Sequence, residues 1–121
     1  MALVASAGCR SSASDPTFDT EVRAVNDWAS PPGASISKSG EDAQHGMTIS
    51  KTWELSVPLE WPAYQDRLRG ATWSGYHERE RTGTRQAFSR VAGGDMFILS
   101  IDLLSAGPPL RVRVTLTAMP D

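Results

Sequence analysis

The chain has 121 residues, a formal net charge of −2, 40% hydrophobic and 21% charged side chains, proportions of a folded chain rather than a disordered one and a length that suits one domain. Its acidic excess lies in residues 1–60 and a mild basic excess, carried by arginine alone, in residues 61–121; that is far below the cationic footprint of a nucleic-acid binder. No run approaches the roughly 18 consecutive apolar residues of a membrane-spanning helix, and Cys9 is the single cysteine, which leaves no material for a disulfide or a cysteine-based zinc or redox site once it is committed elsewhere.

In chain order, the small apolar run Met1-Ala2-Leu3-Val4-Ala5-Ser6-Ala7-Gly8 comes first and is closed by Cys9 and Arg10. Ser6-Ala7-Gly8-Cys9 resembles the lipobox of bacterial lipoproteins, whose small residues lie extended in signal peptidase II. The resemblance implies cleavage before Cys9 and a diacylglyceryl group on its sulfur, and so a membrane partner reached through that lipid. Residues 1–8 then read as a truncated signal-peptide remnant, 9–16 as a lipidated polar tether and 17–121 as a single α+β domain. Ser6 stands where the class prefers Leu, and residues 1–8 hold no Lys or Arg, whereas a signal peptide has a positive start and an apolar stretch of roughly 7–15 residues; the true start is therefore expected upstream. Each buried lipid methylene contributes about 0.8 kcal/mol, so several acyl chains together hold stably. By the sorting rule of the class, Arg10 rather than Asp after the cysteine implies the outer membrane, with the body facing the periplasm.

Beyond the tether, Asp15 or Thr17 with Pro16 forms a helix start, and Phe18, Val22, Val25 and Trp28 or Ala29 mark one stripe of a 3.6-residue period. The pattern predicts a helix over 17–29 that stops at Ser30-Pro31-Pro32-Gly33. Ala34–Lys38 reads as weakly extended, and Ser39-Gly40-Glu41-Asp42 as a turn. Met47, Ile49, Trp53, Leu55 and Val57 then alternate with polar residues, a half-buried strand whose apolar face only Lys51 interrupts. Trp61, Tyr64 and Leu68 predict a short helix over 61–69 with Pro62 near its start and Gly70 after its end.

The remainder reads as strands. Gly75–Arg81 is charged on both faces and suits an edge; Thr82-Gly83-Thr84 turns the chain into Arg85–Val91; Gly93-Gly94-Asp95 turns it again. Residues 96–104 place Phe97, Leu99, Ile101 and Leu103 on one face, and 110–118 place Leu110, Val112, Val114, Leu116 and Ala118 on one face after Gly107-Pro108-Pro109. These two strands are expected at the centre. The expected fold class is α+β, a two-layer sandwich of a mainly antiparallel sheet with one or two helices on one face.

Little of this carries chemistry. His77 on a strand points away from Glu78 and Glu80, so the three do not converge on a metal, and no metal or cofactor is expected. Ser74 lacks a nucleophile elbow, Gly93-Gly94 opens a strand rather than a helix, and Glu78 with Glu80 lacks an apolar pocket to separate two acidities. An enzyme is not expected, an unrecognised hydrolase being the remaining catalytic alternative. Arg79, Arg81, Arg85 and Arg90 precede Arg111 and Arg113, which share the polar face of the last strand; they form either a cross-strand charge ladder or a set of guanidinium forks for an anionic partner. Three of the four tryptophans sit on apolar stripes, while Trp73 with Tyr76 forms a second candidate contact patch. The expectation is a lipid-anchored cell-envelope protein without catalysis of its own, binding an envelope protein or an anionic glycan through Arg111, Arg113, Trp73 and Tyr76. The alternative is a small-ligand or glycan-binding periplasmic module that uses the cleft between helices and sheet.

Overall fold

A computed structural model describes residues 16–70 and 75–120. Its elements, in order, are α1 (Pro16–Ala29), β1 (Ser35–His45), β2 (Thr48–Val57), α2 (Trp61–Gly70), β3 (His77–Arg81), β4 (Arg85–Ala92), β5 (Asp95–Ser105) and β6 (Leu110–Pro120). The fold is α+β, and the described residues form two helices and one six-stranded sheet in the order β1-β2-β6-β5-β4-β3. Every neighbouring pair is antiparallel. The last strand returns to the middle, between β2 and β5, so the sheet closes only when residues far apart in sequence meet. The charged β3 lies at an edge and β5 and β6 at the centre, where the alternation of their side chains places them.

Period-two alternation sorts the strands into two faces. Ile49, Trp53, Leu55 and Val57 of β2, Phe88 of β4, Phe97, Leu99 and Ile101 of β5, and five residues of β6 from Leu110 to Ala118 are buried on one face. Phe18, Val25, Trp28 and Ala29 of α1 and Trp61, Tyr64 and Leu68 of α2 belong to the same core. Trp28 meets Phe88 edge-to-face, with ring centroids 5.1 Å apart.

The helices are also tied by polar contacts. No basic residue stands in the last turn of α1, yet a helix end leaves carbonyls without intrahelical donors. The second helix supplies two: Tyr64 Oη donates to the Ala29 carbonyl at 2.6 Å and Arg67 Nη1 to that of Trp28 at 2.9 Å. At its other side α2 grips the β3–β4 hairpin, Trp61 Nε1 donating to the Gly83 carbonyl at 2.8 Å and Gln65 Nε2 to that of Thr82 at 3.0 Å.

One element differs from the sequence reading. Residues 39–42 do not turn; they lie inside β1, and the turn falls at Gly46-Met47, where Gly46 takes a φ of 61°. Register shifts between Ile36 and Lys38 and between Lys38 and Glu41 absorb the Ser39-Gly40 step as bulges. All eleven residues of β1 are exposed, so neither of its faces carries an apolar alternation that period-two reasoning can detect. The β4–β5 hairpin follows expectation, Gly93 and Gly94 forming its two-residue loop with φ of 62° and 84°, the left-handed pair that matches the twist of the flanking strands.

Candidate functional site

The face of the sheet opposite the core is built in rows across the strands, fixed by register. One row carries charges: Lys38 of β1 pairs with Glu54 of β2, Glu54 with Arg113 of β6, Arg113 with Asp102 of β5, and Asp102 with Arg85 of β4. The signs alternate along its whole length. Arg85 Nε donates to Asp102 Oδ1 at 2.6 Å, and this bond pushes the Arg85 guanidinium above its ordinary value. Arg111, one row further on, donates from Nη2 to Glu54 Oε1 at 3.1 Å, while Arg113 Nη2 lies 3.5 Å from Glu54 Oε2. Glu54 is thereby covered to 7% exposure on a face that otherwise meets solvent, whereas the two arginine side chains stay 47% exposed.

Next along the strands comes an uncharged band. Thr52, Thr115, Ser100 and Ala87 form one row, with a 3.3 Å hydroxyl contact between Thr52 and Thr115. Ser50, Thr117, Ile98 and Ser89 form the following row. The far end is apolar: Met119, Met96 and Val91 are neighbours in register, Val91 being 56% exposed. Small hydroxyl and methyl groups line the middle, and beside them a recess of about 280 Å³ opens between Lys38, Glu41, Thr52, Glu54, Arg113 and Thr115.

Of the residues expected to bind a partner, Arg111 and Arg113 lie together here and are already paired with Glu54. Tyr76 lies elsewhere, half-buried against the core. Its hydroxyl donates to Glu21 Oε2 at 2.5 Å, and Arg90 donates to the same carboxylate from Nε at 3.0 Å and Nη2 at 2.7 Å. The Arg90 guanidinium also stacks 5.4 Å from the Tyr76 ring and 5.5 Å from the Phe97 ring. Burial first, then the Glu21 carboxylate, pushes the Tyr76 phenol well above its ordinary value, so it stays a neutral donor. Arg90 is pushed up by its hydrogen bond to Glu21. A phenol held neutral and a carboxylate held by a guanidinium pin α1 to β4; they do not form an acid–base pair poised for turnover. Trp73 and Cys9 lie outside the described residues.

Three residues hold these clusters in roles that the sequence reading did not assign, Arg90 having been read only as one of the arginines on the β segments, although each left a signal. Glu21 falls three residues after Phe18 and four before Val25, inside the apolar stripe of α1. Arg90 alternates with Phe88 and Gln86 and therefore faces the core. Glu54, the third, is the one acid on the polar side of β2.

Among the described residues, His, Cys, Asp and Glu nowhere gather in threes that would hold a metal ion. His45 and His77 are exposed on the two edge strands. Two open grooves flank the core side. One, of about 430 Å³, runs between α1 and β1–β2 past Arg23, Asn26, Lys51 and Trp53, with Trp53 Nε1 donating to Asn26 Oδ1 at 2.9 Å on its floor. The other, of about 560 Å³, lies at the sheet's end between Pro58–Pro62 and Ala106–Leu110. No helix among the described residues is long and apolar enough to cross a membrane. No family model, curated protein or solved structure matches the chain.

Proposed function

We propose that this chain is a lipid-anchored cell-envelope protein, held to the outer membrane through Cys9, that works by surface contact and not by catalysis. Its body is read as a two-layer sandwich, both helices on one side of the sheet and the other side presented to a partner. The observation that carries the reading is the half-exposed sheet face, charged along one row and apolar at the far end. Contact surfaces that form and persist have this mixture, an apolar part to desolvate and a polar part to fix orientation. The anchor reading is supported by the resemblance of Ser6-Ala7-Gly8-Cys9 to a lipobox.

Two measurements test it. Labelling with a fatty acid in cells should mark the protein and not Cys9→Ser, which should move to the soluble fraction; identical fractionation of both removes the anchor. A photo-crosslinking side chain at Thr117, on the open face, should capture a protein in the envelope, whereas one at Arg23 on α1 should not; no adduct from Thr117 removes the contact reading. A second reading rests on the α1–β1 groove, where Asn26 and Lys51 offer hydrogen-bonding and cationic groups to a small anionic or sugar ligand over the buried Trp53. Under that reading Trp53 fluorescence should saturate with a ligand, and adducts from Thr117 should be absent.

A further inference from the structure

Alternating charge has a geometric property beyond satisfying neighbours within one sheet. Over the four inner strands the row runs Glu54 on β2, Arg113 on β6, Asp102 on β5 and Arg85 on β4, each in direct register with the next. Four alternating signs are antisymmetric about their midpoint, which falls between β5 and β6. We propose that the occupant of the open face is a second copy of this chain, docked face to face about a two-fold axis that runs parallel to the strands between β5 and β6.

That axis exchanges β6 with β5 and β2 with β4 while keeping each row at its own height. Arg113 of either copy then meets Asp102 of the other, while Arg85 comes over Glu54, which Arg111 and Arg113 of its own copy already cover. At the apolar end the same operation lays Met96 over Met119 and Met119 over Met96, since these two are register partners across the same midline. Ile98 comes over Thr117, its own register partner. A two-fold axis across the strands would instead press the charged row onto the methionines, desolvating ions against thioethers and methyls. Only the axis along the strands sets Arg113 against Asp102 and the methionines against each other, as an isologous pair requires, with Arg111 coming over Ser105.

The dimensions allow it. Strands about 4.8 Å apart, rising about 3.3 Å per residue, give the face an area on the order of 800 Å², what one partner contributes to a standard interface. Two packed sheets cross at about 30°, a rotation that displaces residues in proportion to their distance from its centre and therefore least along β5 and β6. The bent β1 and the short β3 therefore matter little to the fit.

The inference rests on the sheet face being the contact surface, and a charge-exchange experiment on the full 121-residue chain separates the two. Sedimentation across a concentration series should show wild type as a reversible dimer that loosens with added salt. Asp102→Lys places Lys against Arg113 twice in the pair, and Arg113→Glu places Glu against Asp102 twice; each should weaken association on the order of a hundredfold. Mixing the two variants turns both facing pairs of positions 102 and 113 attractive, so the mixture should form a mixed dimer where neither variant alone does, and the double variant should pair with itself. If Arg113→Glu fails to fold, as a thermal melt would reveal, Thr117→Arg serves in its place by setting a cation against Ile98 across the interface. A dimer indifferent to these changes overturns the docking. A wild type that stays monomeric overturns self-association, and if Thr117 still captures a different envelope protein the contact reading survives it.

Discussion

Glu21 sits where an apolar side chain is expected, on the buried stripe of α1, and Arg90 holds it there with two nitrogens. Removing one member of such a pair costs more than the pair itself contributes, since the survivor is left ionised in a poor solvent. Glu21→Gln should therefore lower stability by about 2 kcal/mol in urea unfolding, and Glu21→Leu combined with Arg90→Met should recover most of that loss. A double variant as unstable as the worse single one would contradict this account. The two tyrosines, Tyr64 and Tyr76, are the only ones in the chain, and burial raises both above the ordinary value near 10. Above that value the unfolded chain releases phenolic protons that the folded chain keeps. Stability is thus unaffected below about pH 10 and falls as pH rises further, by up to about 1.4 kcal/mol per unit for each tyrosine. Phenolate absorbance should be suppressed in the native protein at pH 10.5 and should emerge together with loss of the helical signal. Titration of either phenol before unfolding would show the burial to be looser than described.

At the scale of elements, α1 ends on donors lent by α2, so the helices depend on each other. Tyr64→Phe keeps the ring and removes the hydroxyl from the Ala29 carbonyl; a loss of about 1–2 kcal/mol is expected, with an unchanged value showing that water replaces it. Gly94→Ala at the β4–β5 loop forces a side chain into the left-handed region and should cost about 1 kcal/mol, read as a lower urea midpoint. Both helices and β2, β4, β5 and β6 were legible in the sequence because each buries one face, leaving a 3.6 or 2.0 period as in Phe18–Ala29, Ile49–Val57 and Leu110–Ala118, whereas β3, exposed along nearly all its length, was legible only from its charged composition and the Thr82-Gly83-Thr84 turn that follows it. β1 was not legible, and the reason is physical: with both faces wet, its Ser, Lys, Glu and Asp obey no burial constraint, and Gly40 looks like a turn although it lies in a bulge. The ladder was half legible. The polar face of β6 announced Arg111 and Arg113, whereas their partner Glu54 depended on β6 returning beside β2, a pairing that no local pattern encodes.

For the whole molecule, β6 decides whether the fold exists. It bonds on both sides and buries Leu110, Val112, Val114, Leu116 and Ala118, burial worth on the order of 10 kcal/mol, comparable with the total stability of a typical domain, about 5–15 kcal/mol. A chain lacking residues 110–121 should show no cooperative thermal transition; a cooperative melt from it would mean that β2 and β5 pair without β6. The two bulges of β1 have a different consequence, at the rim of the sheet. A straight rim strand invites another chain to extend the ladder sideways, the first step toward fibres. Here one rim is kinked twice and carries Lys38, Glu41 and Asp42, and the other is the five-residue charged β3 with a shift at Arg79. Such margins disfavour lateral growth, and under the proposed pairing association stops at two copies, so chains gathered at a membrane by the proposed anchor would remain finite in number rather than polymerise.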